Sequence, residues 1–236
     1  NNIVPKANVL DMMYKNSRRL LELVNQILDF RKLENKQQQL KVIQQKNLLL
    51  FQNIYAAYSY WSNEKNIHFN LALPQENYTT YFDADIIEKI VSNLVSNAFK
   101  FTPENGEIDL TVGFQNIRNH DDLVESGQLS IVLKDNGPGI PKDVQSKIFE
   151  RFYQLDDSTM ASYGSGIGLS LTSELVELHQ GKIELDSSKG NGTQFSVTIP
   201  IGKNDYSISG QEESTIIYPE IDPKSTLILI AEDHED

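Results

Sequence analysis

Asn93, Asn97 and Lys100 stand at i, i+4 and i+7 of the segment Asp85–Phe101, so a helix there would carry all three on one face. Ile87, Ile90, Val91, Leu94, Ala98 and Phe101 form the adjoining apolar arc. Carboxamide oxygens are neutral, hard donors that suit Mg²⁺, an ion that takes few protein ligands and leaves places for phosphate and water. Lys100 can then meet phosphate as a point charge. Alone, such a stripe is more often a solvated helix face than a metal site.

Two glycine-rich stretches could complete a site. Asp135-Asn136-Gly137-Pro138-Gly139 follows an apolar strand. Asn-Gly and Pro-Gly are turn dipeptides, so a tight turn is the plain reading. The chemical reading places the Asp135 carboxylate at a strand end, able to accept a hydrogen bond from an adenine amine, with glycines letting a flat ring approach the backbone. Gly164-Ser165-Gly166-Ile167-Gly168-Leu169 opens a predicted helix reaching His179. Backbone N–H groups at such a loop can hold phosphate. It lacks the Gly-Lys-Ser/Thr of a Walker A loop, and no strand leads directly into it as a dinucleotide fingerprint requires. The polar stretch before it, Gln154 to Tyr163, would suit a mobile lid.

The elements that must position these residues mix helical and strand periods. A stripe of Leu10, Met13, Ser17, Leu20, Val24, Ile27 and Arg31, widened by Leu21 and Leu28, predicts a bundle-type helix to about Asn35. From Gln39 to Pro200, strands are predicted around 40–43, 68–73, 79–82, 108–114, 129–133, 182–185 and 194–199. Helices are predicted at 48–64, 85–101 and 167–179. The interleaving, with short connections near the end, predicts an α+β sandwich: a mixed sheet with helices on one face. The segment 203–225 is polar with Pro219 and Pro223, as a linker is, and Leu227–Ala231 followed by Glu232-Asp233 reads as a short buried strand ending in two acids.

Composition bounds the partners. With a net charge of −12, the chain repels nucleic acid and anionic membrane, and neither is an expected partner. An anionic ligand such as ATP would need a local metal ion, lysine or helix N-terminus. The absence of cysteine excludes disulfides and thiolate chemistry.

In order along the chain, the Asn93–Lys100 helix, the Asp135–Gly139 turn, Phe149-Glu150-Arg151-Phe152-Tyr153, the Gly164–Gly168 loop and Gly190-Asn191-Gly192-Thr193 resemble the N, G1, F, G2 and G3 boxes of histidine kinases. The first helix, with Asn16–Leu21 and Leu28–Lys32, resembles the second helix of that family's dimerisation hairpin. Leu227–Asp233 resembles the opening of a receiver domain.

The resemblance implies a Bergerat-type ATP-binding fold with ATP and Mg²⁺ between the N-box helix and the lid. Asn97 would hold Mg²⁺, while Asn93 and Lys100 would contact phosphates or their waters. Asp135 would read adenine. Gly137, Gly139, Ile140 and Thr193 would line the adenine side, and Gly164, Ser165, Gly166, Gly168 and Leu169 the phosphate side. Glu232 and Asp233 would be a receiver Mg²⁺ pair. Related ATPases carry a catalytic Glu where Asn93 stands here, so phosphoryl transfer is expected rather than hydrolysis.

The expected layout is a partial dimerisation helix at 1–36, a catalytic domain at 37–202, a linker at 203–225 and the start of a receiver domain at 226–236. The expected partners are a second copy, through the first helix, and a receiver domain. The expected setting is the cytoplasmic portion of a bacterial inner-membrane sensor. The acceptor histidine of the family lies in a His-Glu or His-Asp context followed by Pro. His68, His120, His179 and His234 do not match it and read as bystanders.

Overall fold

The computed structural model describes residues 7–35, 40–46, 48–76, 78–121, 123–154 and 166–206. In chain order the elements are α1 (Ala7–Glu34), β1 (Ile43–Lys46), α2 (Leu48–Lys65), β2 (His68–Ala72), β3 (Thr79–Phe82) and α3 (Ala84–Phe101). They continue with β4 (Glu107–His120), β5 (Leu123–Asp135), α4 (Gly168–Leu178), β6 (Lys182–Ser187), β7 (Thr193–Pro200) and a 3₁₀ turn, Lys203–Asp205. The expected α+β sandwich is what forms. β1, β3, β5, β4 and β2 lie side by side in that order, and β7 joins β5 and carries β6 on its other edge. β2 runs parallel to β4 and β3 parallel to β5, while the remaining pairs are antiparallel.

Strand period two sorts the faces. Ile108, Leu110 and Val112 of β4, Leu129, Ile131 and Leu133 of β5, and Phe195, Val197 and Ile199 of β7 are buried in one cluster with the apolar sides of α2, α3 and α4. Asp109, Thr111, Lys134 and Gln194 alternate with them and line a shallow hollow on the other face.

α3 is built from strong local signals. Asp83 caps it, its Oδ1 accepting the Ile86 N–H at 3.2 Å, and Asp85 in the first turn and Lys100 in the last complement the helix dipole. Its C-cap is Thr102, extended at φ −71°, ψ 129° as a residue before proline must be. Ile86, Ile87, Ile90, Val91, Leu94, Val95, Ala98 and Phe99 fill the core from this one helix. An aromatic cluster ties it to its neighbours: Tyr58 of α2 stacks on Phe99 at 5.7 Å, and Phe69 of β2 meets Phe99 edge-on at 5.2 Å.

Most of the α1 stripe is not covered by the described residues. Met13, Leu20, Leu21, Val24, Ile27 and Leu28 are all exposed, Leu20 to 63%. α1 touches the sandwich near its end, where Lys89 pairs with Asp29 at 2.9 Å. There Arg151 pairs with Glu34 at 2.7 Å while lying 4.0 Å over the Phe30 ring.

Two features exceed the sequence reading. β4 and β5 run as a hairpin well past the predicted 108–114 and 129–133, paired out to His120↔Leu123 through an irregularity near Arg118. His120 therefore ends a strand. The second feature is a buried polar node. Asp83 N–H donates to His179 Nε2 at 3.0 Å, and the Tyr206 hydroxyl donates to Pro200 O at 2.6 Å. His179 Nδ1 lies 2.7 Å from that same hydroxyl oxygen, so it must carry the proton and donate, and the ring is neutral. Asp83 Oδ2 also accepts the Lys41 N–H at 2.8 Å. His179, read as a bystander to phosphorylation, joins the start of α3, the end of α4 and the last described residues.

Candidate functional site

Several of the described motif glycines stand where a side chain would strike a neighbouring segment. A Cβ on Gly137 would stand 3.1 Å from Phe101 O, so the Asp135–Gly139 turn lies directly against the end of α3. Gly139, at φ +69°, sits over Ser188, and Gly192, at φ +79°, sits over the Asp135 carbonyl; neither place admits a Cβ. Gly190 N–H donates to Pro138 O at 2.7 Å. At the other end, Gly166 O accepts the Phe152 N–H at 2.9 Å, and Gly168 faces the Asn93 carboxamide. The α3 polar stripe is thus framed by the turn at its C-terminal end and by the start of α4 along its side.

The stripe residues differ in how they are held. Asn97 is half-buried, and its carboxamide hydrogen-bonds to no described residue. Asn93 Nδ2 donates to Gly168 O and, at 2.6 Å, to Thr172 Oγ1. Lys100 Nζ lies 4.6 Å over the Phe101 ring. Asp135 is buried at the end of β5, with Oδ1 accepting the Gly137 N–H at 2.8 Å. Burial raises its carboxyl above the ordinary range, opposed by backbone N–H donation from Gly137 and Thr193.

Thr193 is buried beside it, its Oγ1 3.2 Å from Ser187 Oγ. Ile140 and Leu169 pack partly buried against the core. Gly164, Ser165, Glu232 and Asp233, and the lid stretch beyond Gln154, lie outside the described residues.

Two residues that the sequence did not mark brace the turn. Ser187 Oγ accepts the Ile140 N–H and donates to Gly192 O, both at 2.8 Å. Gln145 Nε2 donates to Ile140 O at 2.9 Å and to Ser187 O at 2.8 Å. Neither carries a sequence signal, since both act on backbone brought close only by the fold. Among the described residues no cluster of His, Cys, Asp and Glu could hold a metal, so any metal here falls to neutral donors such as Asn97 and to the ligand. No described helix is long and apolar enough to cross a membrane.

Residues 82–203, just over half of the chain, match the family described as histidine kinase-, DNA gyrase B- and HSP90-like ATPase. Histidine kinase P4 of Formosa agariphila is 34% identical over 188 residues, covering 78% of this chain and 13% of that protein. Hybrid signal transduction histidine kinase D of Dictyostelium discoideum is 33% identical over 196 residues, covering 83% of this chain and 12% of that protein. The chain spans about an eighth of the length of these two relatives. The full-length ShkA crystal structure in complex with AMPPNP superposes with a TM-score of 0.66 at 25% identity, covering 86% of this chain and 40% of that one. With the motifs gathered round one helix and relatives of this kind, the chain belongs to the histidine kinase-, DNA gyrase B- and HSP90-like ATPase family, as an ATP-binding catalytic domain of the histidine kinase type.

Proposed function

We propose that this chain binds ATP with Mg²⁺ and passes the γ-phosphate to a histidine on a helical hairpin, for relay to a receiver aspartate. The observation that carries this reading is the Asn97 carboxamide, half-buried and without a described partner on a helix flanked by glycine turns. A neutral oxygen donor there fits Mg²⁺ held jointly with phosphates, and a bound Mg²⁺ would neutralise charge developing on the transferred phosphoryl group.

In this reading Asn97 is the metal donor and Lys100 a phosphate contact. Asp135 accepts from the adenine amine above the floor made by Gly137, Gly139, Ile140 and Thr193. Gly166, Gly168 and Leu169 border the phosphate side, as do Gly164 and Ser165. An asparagine at position 93 leaves no carboxylate to activate water, which favours transfer over hydrolysis.

The test is a titration of the chain with ATP, with and without Mg²⁺, followed by incubation with labelled ATP and a separate helical hairpin carrying a histidine in the acceptor context. Saturable Mg²⁺-dependent binding and acid-labile, alkali-stable phosphate on the hairpin are expected. An absence of ATP binding would overturn the reading.

Asp135→Asn should weaken ATP by about tenfold or more while changing the affinity for inorganic triphosphate less than twofold. Losing charge assistance to a buried hydrogen bond costs roughly 1–3 kcal/mol, and triphosphate has no amine to lose. Equal losses for both ligands would place Asp135 away from the base.

The bare α1 stripe and the family resemblance together support pairing of two copies through α1. Full burial of each Leu, Ile, Val or Met side chain is worth about 1.5–3 kcal/mol. Sedimentation should show a concentration-dependent dimer that Leu20→Glu with Leu21→Glu shifts to monomer. A parent that stays monomeric at high concentration would refute the pairing.

The hybrid arrangement, with Glu232 and Asp233 opening a receiver domain, is proposed from the sequence and from the hybrid relative; of the expected linker 203–225, the first residues to Tyr206 pack with the catalytic domain. So is the cytoplasmic setting beneath a membrane sensor.

A further inference from the structure

We infer that Thr172 is a positioning residue for Asn93, fixing which atom of that carboxamide is left to meet the nucleotide's metal-bound water. The inference rests on the ATP-binding reading above and adds to it a residue outside the recognised motifs.

Thr172 sits in the second turn of α4, fully buried, facing α3. Its hydroxyl donates to Gly168 O at 3.0 Å, one turn back along its own helix. That leaves the Oγ1 lone pairs as acceptors, and Asn93 Nδ2 donates to them at 2.6 Å. The second Nδ2 proton goes to Gly168 O. A carbonyl can only accept, so the nitrogen and not the oxygen of Asn93 must meet Gly168 O and Thr172 Oγ1. The missing side chain of Gly168 is part of the arrangement, because a Cβ there would come within 2.6 Å of Asn93 Oδ1.

Both amide protons of Asn93 are therefore spent inside the protein, and Oδ1 is its one polar atom left for a ligand. That narrows the sequence expectation, which allowed Asn93 to contact phosphates or their waters, to the waters. Phosphate oxygens at neutral pH are acceptors, and two acceptors repel. Oδ1 can accept a hydrogen bond or donate a lone pair to a cation, and with Asn97 as the metal donor the partner an ATP site supplies to it is water held by Mg²⁺. The contribution of Asn93, and of Thr172 through it, should appear only when Mg²⁺ accompanies the nucleotide. Thr172 carries no charge, and its other partner, Gly168, is held through a carbonyl oxygen that phosphate would repel, so a Mg²⁺-dependent effect of Thr172 passes through Asn93.

The test compares Thr172→Val, close in shape but without an acceptor, with Thr172→Ser, which keeps the hydroxyl. Thr172→Val should lose about tenfold in affinity for ATP in the presence of Mg²⁺, the factor for one hydrogen bond, and less than twofold in its absence. Thr172→Ser should stay within about twofold of the parent in both arms. Thr172→Ala serves with the same expectation should the valine variant not fold.

An independent arm needs no nucleotide: by NMR, the Asn93 side-chain amide protons should exchange slowly with solvent in the parent and in Thr172→Ser, and rapidly in Thr172→Val. Parent-like binding by the valine variant, equal losses with and without Mg²⁺, or a serine variant as weak as valine would each overturn the proposal. A parent that fails to bind ATP but shows the amide pattern would sink the ATP reading while leaving the Thr172–Asn93 hold standing.

Discussion

Asn97→Ala should lose about 100-fold or more in affinity for ATP with Mg²⁺, close to 3 kcal/mol, and should keep the stability of the parent. The two halves of this expectation come from one observation. Asn97 has no hydrogen-bond partner among the described residues, so its removal breaks nothing that holds the fold. Alanine is also the better helix former, and a partly exposed position away from the packed core tolerates the change within about 0.5 kcal/mol.

Asn93 is the instructive contrast. Its carboxamide ties α3 to α4 through Gly168 and Thr172, so Asn93→Ala should lower stability and nucleotide affinity together. Calorimetric titration with ATP, run with Mg²⁺ and again with a chelator, reads the affinity, and urea unfolding reads the stability. An Asn97→Ala protein that binds ATP with Mg²⁺ as the parent does would remove Asn97 from the metal site.

That separation between Asn97 and Asn93 was not visible in the sequence. The polar stripe beside an apolar arc was legible because helix periodicity places i, i+4 and i+7 together whatever the fold, and α3 forms within one residue of its expected start. The core stretches of β4, β5 and β7 were legible for the same reason: apolar side chains recur at every second position and make one face apolar.

The outer half of the β4–β5 hairpin was not. Gln115–His120 is mostly exposed and polar, so its strand character rests on cross-strand hydrogen bonds rather than on any apolar period. The order of the glycine motifs could be read along the chain, but not their mutual contacts. Those depend on which backbone passes over a missing Cβ, as Ser188 does over Gly139. The roles of Ser187, Gln145 and Thr172 were likewise out of reach, because each acts on a partner far away in sequence. Asn93 and Thr172 are separated by 79 positions, and Gln145 and Ser187 by 42.

His179 should make this domain lose stability between pH 6.5 and about pH 4, by an amount on the order of 3 kcal/mol. Burial drives the imidazole down from 6.5 to about 4, against the pull of the Asp83 carboxylate in the opposite direction. The hydrogen bonds explain why the charged form is excluded. Nε2 must stay an acceptor for the Asp83 N–H, and a second ring proton would leave that donor facing another donor.

Above pH 6.5 the ring is neutral folded or unfolded, and it contributes no pH dependence. As the pH falls below 6.5 the unfolded chain takes up a proton that the folded one refuses, and stability drops until the folded ring also protonates near pH 4. Acidic groups elsewhere in the chain titrate in the same range, so the informative quantity is a difference. His179→Gln should be less stable than the parent by about 1–3 kcal/mol at pH 8, because the ring's two hydrogen bonds are not both replaced. At pH 4.5 that gap should shrink by roughly 2–3 kcal/mol, since only the parent carries the ring's proton penalty. Urea unfolding of both proteins at the two pH values measures it. A gap of the same size at pH 8 and pH 4.5 would mean that His179 protonates as readily folded as unfolded, and that the node joining Asp83, His179 and Tyr206 does not hold the ring neutral.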